Sequence, residues 1–208
     1  AAVKNVGVNV INNIIKEREL NGDFKDFADL VKRLDSKDLN KRVLESLIKC
    51  GAFDNISDNR ASLMMGYEKL LDSVSMDRKK NVKGQISLFD GFQMGKETVE
   101  VQQEISSIPK INEFEERERL AMEKEVLGMY VSGHPLGEYE EELKNNTSID
   151  NGKINVLKED MESYLNLDEK EVILGGMIVN KRIQTTKRND IMAFLELEDL
   201  YGTIEVIV

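Results

Sequence analysis

Along residues 1–75 apolar side chains recur at helical spacing and are interrupted by tight turns. Val10, Ile11, Ile14 and Ile15 share one helix face, at i, i+1, i+4 and i+5. Asn21-Gly22 stops that helix, because both residues tolerate a left-handed C-cap. Asp26 is placed to cap a second helix, which carries Phe27, Leu30, Val31 and Leu34. Val43, Leu44, Leu47 and Ile48 repeat the pattern, and Gly51 ends it. Asp58 is placed to cap a longer fourth helix, with Leu63, Met64, Tyr67, Leu70, Leu71 and Val74 inward. Four amphipathic helices on short connections predict a compact helical domain over residues 1–75.

The pattern breaks over residues 76–110, which are mostly polar and read as a surface linker. One short apolar cluster stands out there, Gln85-Ile86-Ser87-Leu88-Phe89. Residues 112–131 look helical again and are rich in glutamate, so 111–145 reads as an acidic helical connector with a solvated face. Gly133-His134-Pro135 breaks it, and Gly137 to Lys144 reads as one more short helix. From Val172 the period changes to two. Val172–Arg182, Ile191–Glu198 and Thr203–Val208 read as three consecutive strands, with a bulge or bend expected at Gly175-Gly176. The fold class expected is therefore α+β, with a β segment over 146–208. Three strands with two free edges are marginal alone, so the chain reads as cut from a longer protein partway through a β domain.

Composition narrows the function classes. No apolar run approaches the roughly 18–20 residues that span a bilayer, and no secretory h-region is visible, so the cytoplasm is the default compartment. A single cysteine, Cys50, and a single histidine, His134, offer neither an internal disulfide nor a Cys/His metal cluster. None of the 39 acidic residues forms an Asp-x-Asp pair of the kind phosphoryl transfer uses, so no chemistry and no cofactor are expected of this segment. The formal net charge of −10 is unevenly spread: residues 1–80 carry 15 basic and 13 acidic side chains, residues 81–208 carry 14 and 26. Nucleic acid bound by the first part would be held by local geometry more than by bulk field.

Three motifs carry candidate binding chemistry. Lys4-Asn5-Val6-Gly7 precedes the first helix, and Lys49-Cys50-Gly51-Ala52 lies between two helices. A Gly-containing turn that feeds a helix N-terminus points backbone N–H groups outward, where they can hold a phosphate. This is the layout of helix-hairpin-helix modules, which grip a nucleic-acid backbone without reading bases; each turn also suits an ordinary helix–helix connection. Gln85-Ile86-Ser87-Leu88-Phe89 has the form of a peptide ligand, two apolar anchors with an amide that fixes orientation. It equally suits a local patch that folds back on its own domain. Lys181, Arg182, Lys187 and Arg188 surround the first strand loop, and Phe194 follows on the next strand. A basic loop beside an aromatic strand suits a single-strand platform in a small OB-type barrel, or a solvated loop beside a core aromatic.

Taken together, the chain resembles the alpha-subunit family of bacterial replicative DNA polymerase III. The resemblance is carried by Asn40-Lys41-Arg42-Val43-Leu44-Glu45-Ser46-Leu47-Ile48-Lys49-Cys50-Gly51-Ala52-Phe53-Asp54 and by Leu127-Gly128-Met129-Tyr130-Val131-Ser132-Gly133-His134-Pro135-Leu136. Ala2 to Gly7, followed by Ile14 to Arg18 and Gly22-Asp23-Phe24, resembles the start of that family's tandem helix-hairpin-helix region. Gln85–Phe89 looks like its internal sliding-clamp-binding peptide. The resemblance implies duplex DNA as partner of the hairpins and a sliding clamp as partner of Gln85, Ile86, Ser87, Leu88 and Phe89. It implies single-stranded DNA near an incomplete set of OB strands, and a polymerase palm, with its Mg²⁺-binding acids, outside this segment. Two other readings stay open. Val172–Val208, with Arg182, Phe194, Asp199 and Gly202, also resembles the anticodon-binding OB strands of aminoacyl-tRNA synthetases. A non-enzymatic replication or repair adaptor would use the same binding surfaces.

Overall fold

A computed structural model describes residues 2–34, 39–57, 59–82, 108–159, 170–185, 187 and 189–208. Among them are seven α-helices, one 3₁₀ turn and three strands. The α+β class expected from the change of period, with helices first and strands last, is the class observed. The chain divides into two compact units, 1–131 and 132–208.

In the first unit, α1 spans Val8–Asn21, α2 Phe27–Arg33, α3 Lys41–Lys49, α4 Arg60–Val82 and α5 Glu116–Leu127. The helix ends follow local chemistry. Gly22 stops α1 at φ +80°, and the Asp26 carboxylate accepts the Asp29 N–H at 2.7 Å to start α2. The Asn40 side-chain oxygen does the same for α3, accepting from the Val43 N–H at 3.0 Å. Basic side chains close the C-terminal ends, where carbonyls lack partners. Arg33 donates to the carbonyls of Glu17 and Gly22 behind α1, and Arg78 donates to those of Val31, Lys32 and Leu34 behind α2. Replacing Asp26 by alanine is expected to lower stability by about 1 kcal/mol with the fold retained. A urea titration followed by circular dichroism reads this as a lower midpoint at unchanged slope.

The core of this unit is the apolar faces of α2, α3 and α4. Phe27, Leu44, Ile48, Leu63 and Leu70 are almost wholly buried, and Phe27 meets Phe53 edge to face at 5.0 Å. The face expected on α1 is only half used. Val10 and Ile14 pack on the core, whereas Ile11 and Ile15 remain 36% and 38% exposed. The glutamate-rich helix α5 also departs from a purely solvated face. Glu115, Glu116, Glu118 and Glu125 are exposed, but Leu120, Val126 and the carboxylate of Glu123 are buried within this unit. The expected fourth-helix cap, Asp58, lies outside the described residues, and Asn59 accepts the Ser62 N–H at 2.7 Å.

In the second unit, a 3₁₀ turn at Gly137–Tyr139 leads into α6 (Glu140–Asn146), and α7 spans Asn151–Glu159. β1 (Met177–Thr185), β2 (Ile191–Glu198) and β3 (Thr203–Ile207) form an antiparallel sheet in the order β1-β2-β3. β1 begins after Gly175-Gly176 rather than through them, and the irregularity in its pairing lies between Ile178 and Asn180. Leu195 lies opposite Val206 and Leu197 opposite Ile204, so these four share a face. Helix α7 has no strong apolar signature, and a polar knot docks it. The Asp199 carboxylate accepts from the N–H groups of Asn151, Tyr201 and Gly202, while the buried Asn151 amide donates to the carbonyls of Leu197 and Gly202.

Candidate nucleic-acid interface

The first hairpin turn, Lys4 to Gly7, is held between α3 and α5. The Lys4 N–H donates to the Val126 carbonyl at 2.8 Å, the Asn5 side chain donates to the Ser46 hydroxyl at 3.2 Å, and Val6 is buried. The left-handed residue of the turn is Asn5, at φ +64°. Gly7, a position whose glycine suggests either a positive φ or a close backbone approach, is extended at φ −75° and forms the N-cap of α1. Asparagine is among the few side chains that accept the left-handed region, which is how a turn with one glycine keeps its shape. Among the described residues no side chain caps the N-terminus of α1, and no acidic residue lies in its first turn. A Cβ built on Gly7 meets nothing within 4 Å among the described residues. The Lys4 side chain is exposed. Arg42, which the motif reading passed over as a site, is exposed on α3 one helical turn before Ser46 and so lies near the same edge.

The second hairpin is built differently. Gly51 takes φ +76°, as a C-cap glycine should. The Ala52 N–H donates to the Leu47 carbonyl and the Gly51 N–H to the Ile48 carbonyl, both at 3.0 Å, so these amides close α3. Lys49 pairs with Glu45 at 2.9 Å and with Glu125 of α5 at 3.0 Å. Burial lowers the pKa of its ammonium, and the two carboxylates more than reverse that, leaving it above the usual lysine range. The space where a Gly51 side chain would stand is taken by the Arg60 guanidinium, with Arg60 Cζ and an Asp54 carboxylate oxygen each 2.8 Å from the Cβ position.

Arg60 is the centre of this region and is 3% exposed. It pairs with Asp54 at 2.7 Å and with the fully buried Glu123 at 2.9 Å, and donates to the Lys49 carbonyl at 3.2 Å. Glu123 in turn accepts the Val131 N–H at 2.7 Å. The amides that open α4 are also occupied. The Glu113 carboxylate accepts from the N–H of Arg60 at 2.8 Å and of Ala61 at 3.0 Å. Desolvation raises the Glu113 pKa, and the amides of Arg60, Phe114 and Ala61 outweigh it and hold the group below the usual carboxylate range. Around it, Asn59 donates to the Ile111 carbonyl at 2.7 Å, and the Ile111 N–H donates to Ser62 Oγ at 3.1 Å. Neither Arg60 nor Glu113 was legible as a site residue, because Glu113 is 52 and 53 positions from its partners and no local spacing links them.

In the second unit, Arg182 lies opposite Phe194 across β1 and β2, and its guanidinium stacks over the ring at 4.7 Å. Lys181 and Arg182, read together from the sequence, fall on opposite faces of the sheet, as the period of two requires. Glu196 faces Glu205 across β2 and β3, on the face that carries Arg182 and Phe194. Lys187 is exposed in the β1–β2 loop, and Arg188 lies outside the described residues, as does the whole of Gln85–Phe89. Among the described residues no group of three or more His, Cys, Asp or Glu side chains could hold a metal ion, and no helix is long and apolar enough to cross a membrane.

Residues 1–63, which contain both turns, match the family of the helix-hairpin-helix motif. The chain is 36% identical over 208 residues to DNA polymerase III subunit alpha of Borreliella burgdorferi, covering 99% of this chain and 17% of that protein. It is 36% identical over 214 residues to the protein of the same name from Mycobacterium leprae, covering 99% and 16%. With that of Vibrio cholerae it shares 33% over 207 residues, covering 100% and 17%. The chain thus spans about a sixth of the length of the curated relatives it matches. The similarity covers nearly the whole chain, whereas the synthetase resemblance touched the strands alone. Over nearly its whole length the chain is similar to one segment of DNA polymerase III subunit alpha.

Proposed function

We propose that this segment holds duplex DNA and tethers a replicative polymerase to its sliding clamp. The observation that carries the DNA reading is the uncapped N-terminus of α1, standing behind the Lys4–Gly7 turn inside the matched helix-hairpin-helix motif. Its first-turn amides and the adjoining exposed cations suit one backbone phosphate. Phosphate contacts carry no base information, so binding is indifferent to sequence. The chain's acidity makes that binding weak and dependent on geometry rather than on net field.

The remaining assignments follow from the same reading. Gln85, Ile86, Ser87, Leu88 and Phe89 dock on the clamp, and the tether raises the effective concentration of polymerase at the primer. The three strands belong to an OB-type barrel that lies toward single-stranded template. There the Arg182–Phe194 stack offers a surface to a base, while Glu196 and Glu205 on the same face disfavour a phosphate. Lys181, Lys187 and Arg188 add charge around the β1–β2 loop. Nucleotide transfer and its Mg²⁺ belong to acids elsewhere in the whole protein, in the bacterial cytoplasm at the nucleoid.

Gly7→Val tests the hairpin, because a Cβ at this position meets nothing within 4 Å among the described residues. The variant is expected to fold as wild type and to bind duplex more weakly. Lys4→Ala is expected to lower the slope of log affinity against log salt by about 0.9, one phosphate contact. Fluorescence anisotropy with two unrelated duplexes over a salt series measures both. A folded Gly7→Val protein with wild-type affinity at every salt concentration removes the first hairpin from the DNA-binding surface.

A further inference from the structure

We propose that the two hairpins are not equivalent, and that Glu113 closes the second one by seating its own carboxylate where a phosphate would sit at the start of α4. The proposal rests on the hairpin reading above for its DNA consequence, but the closure itself is testable without DNA.

A hairpin holds phosphate through amides at the N-terminus of the helix that follows it. For the first hairpin that helix is α1, whose opening amides have neither a side-chain cap nor an acidic neighbour in the first turn. For the second it is α4, and there Glu113 takes the amides of Arg60 and Ala61 with one oxygen each, at 2.8 and 3.0 Å. A two-oxygen anion on two consecutive helix-opening amides has the geometry a phosphate would adopt. Three further features point the same way. The Gly51 and Ala52 amides are spent on closing α3. Lys49 is neutralised by Glu45 and Glu125. The Arg60 guanidinium fills the space beside Gly51 and is itself balanced by Asp54 and Glu123. Lys49 and Arg60, which stand beside the second turn, thus each already face two carboxylates of this chain. Glu113 is held in place by the strap that carries it, through Ile111 on Asn59 and Ser62 and through Pro109 against Gly66, where a Cβ would stand 3.0 Å from the proline ring.

The test is thermal unfolding of the whole 208-residue chain, as wild type, Glu113→Ala and Glu113→Gln. The probe is sulfate, titrated against chloride at constant ionic strength. Both variants are expected to melt lower than wild type in chloride. Sulfate should then restore their Tm along a saturating curve, as a free anion enters the vacated seat. Wild type should rise only by the gradual effect that sulfate has on any folded protein. If the variants gain no more from sulfate than wild type does, the seat takes no anion and the proposal falls. Should Glu113→Ala fail to fold, Glu113→Gln, which keeps one acceptor oxygen, carries the same comparison. A second arm uses the duplex assay: Lys49→Ala should leave the salt slope at its wild-type value, and a fall as large as that of Lys4→Ala overturns the closure. Loss of duplex binding by wild type itself would count against the DNA reading alone, since the sulfate curves still decide whether Glu113 fills an anion seat.

Discussion

Arg60→Ala is expected to cost the first unit about 3–5 kcal/mol, because it strands a buried carboxylate. Glu123 is wholly buried and Arg60 is its ion-pair partner at 2.9 Å. Removing the guanidinium leaves the Glu123 charge in a low-dielectric site, and also leaves Asp54 and the Lys49 carbonyl without their donor. The partner change separates charge from packing. Replacing Arg60 and Glu123 together by methionine removes both charges while keeping apolar volume, and should recover most of the loss. Urea unfolding of the single and double variants gives the answer from the midpoints. A single-variant loss below about 1 kcal/mol would place the pair among weak surface bridges and refute its role in joining α5 to the second hairpin.

The second large effect concerns Gln85–Phe89. Leu88→Ala with Phe89→Ala removes two apolar anchors, each worth about 1–3 kcal/mol at a peptide-docking site. Affinity for a sliding clamp should fall at least about tenfold, which corresponds to 1.4 kcal/mol. The far-ultraviolet circular dichroism and Tm should be unchanged, which distinguishes lost docking from lost folding. Titration of wild type and the double variant against a purified clamp by calorimetry reads the difference. Equal affinities would show that Gln85–Phe89 does not dock the clamp.

Several elements are set by chemistry that is local in the chain. Asp26, Asn21-Gly22 and Gly51 act as caps because a side-chain oxygen or a missing Cβ meets its own turn. The alternation in Ile191–Glu198 and Thr203–Val208 sets strand faces, since the side-chain period of a strand is two whatever it pairs with. The same rule separates Lys181 from Arg182, which grouping by charge had merged. Helix α7 carried no comparable signal: it is short and polar, and its anchor is Asp199, 48 residues from Asn151.

The resemblance to the alpha-subunit family was equally legible, because it rests on residue identity in order along the chain and needs no contact. What the order of residues could not disclose is which groups remain available once the chain has folded. Lys49 and Lys4 look alike in the sequence, each a lysine just before a glycine turn. Folding brings Glu125 to one and leaves the other exposed. The two turns likewise each precede a helix N-terminus, yet only tertiary structure returns Glu113 to the start of α4. Caps, periods and family resemblance are short-range or one-dimensional properties, so the sequence alone determined them. The pairing of a carboxylate with a backbone amide or an ammonium some 52–76 positions away is a property of the packed chain. It exists only after the core of α2, α3 and α4 has set the distances, and those distances decide which charged groups stay exposed.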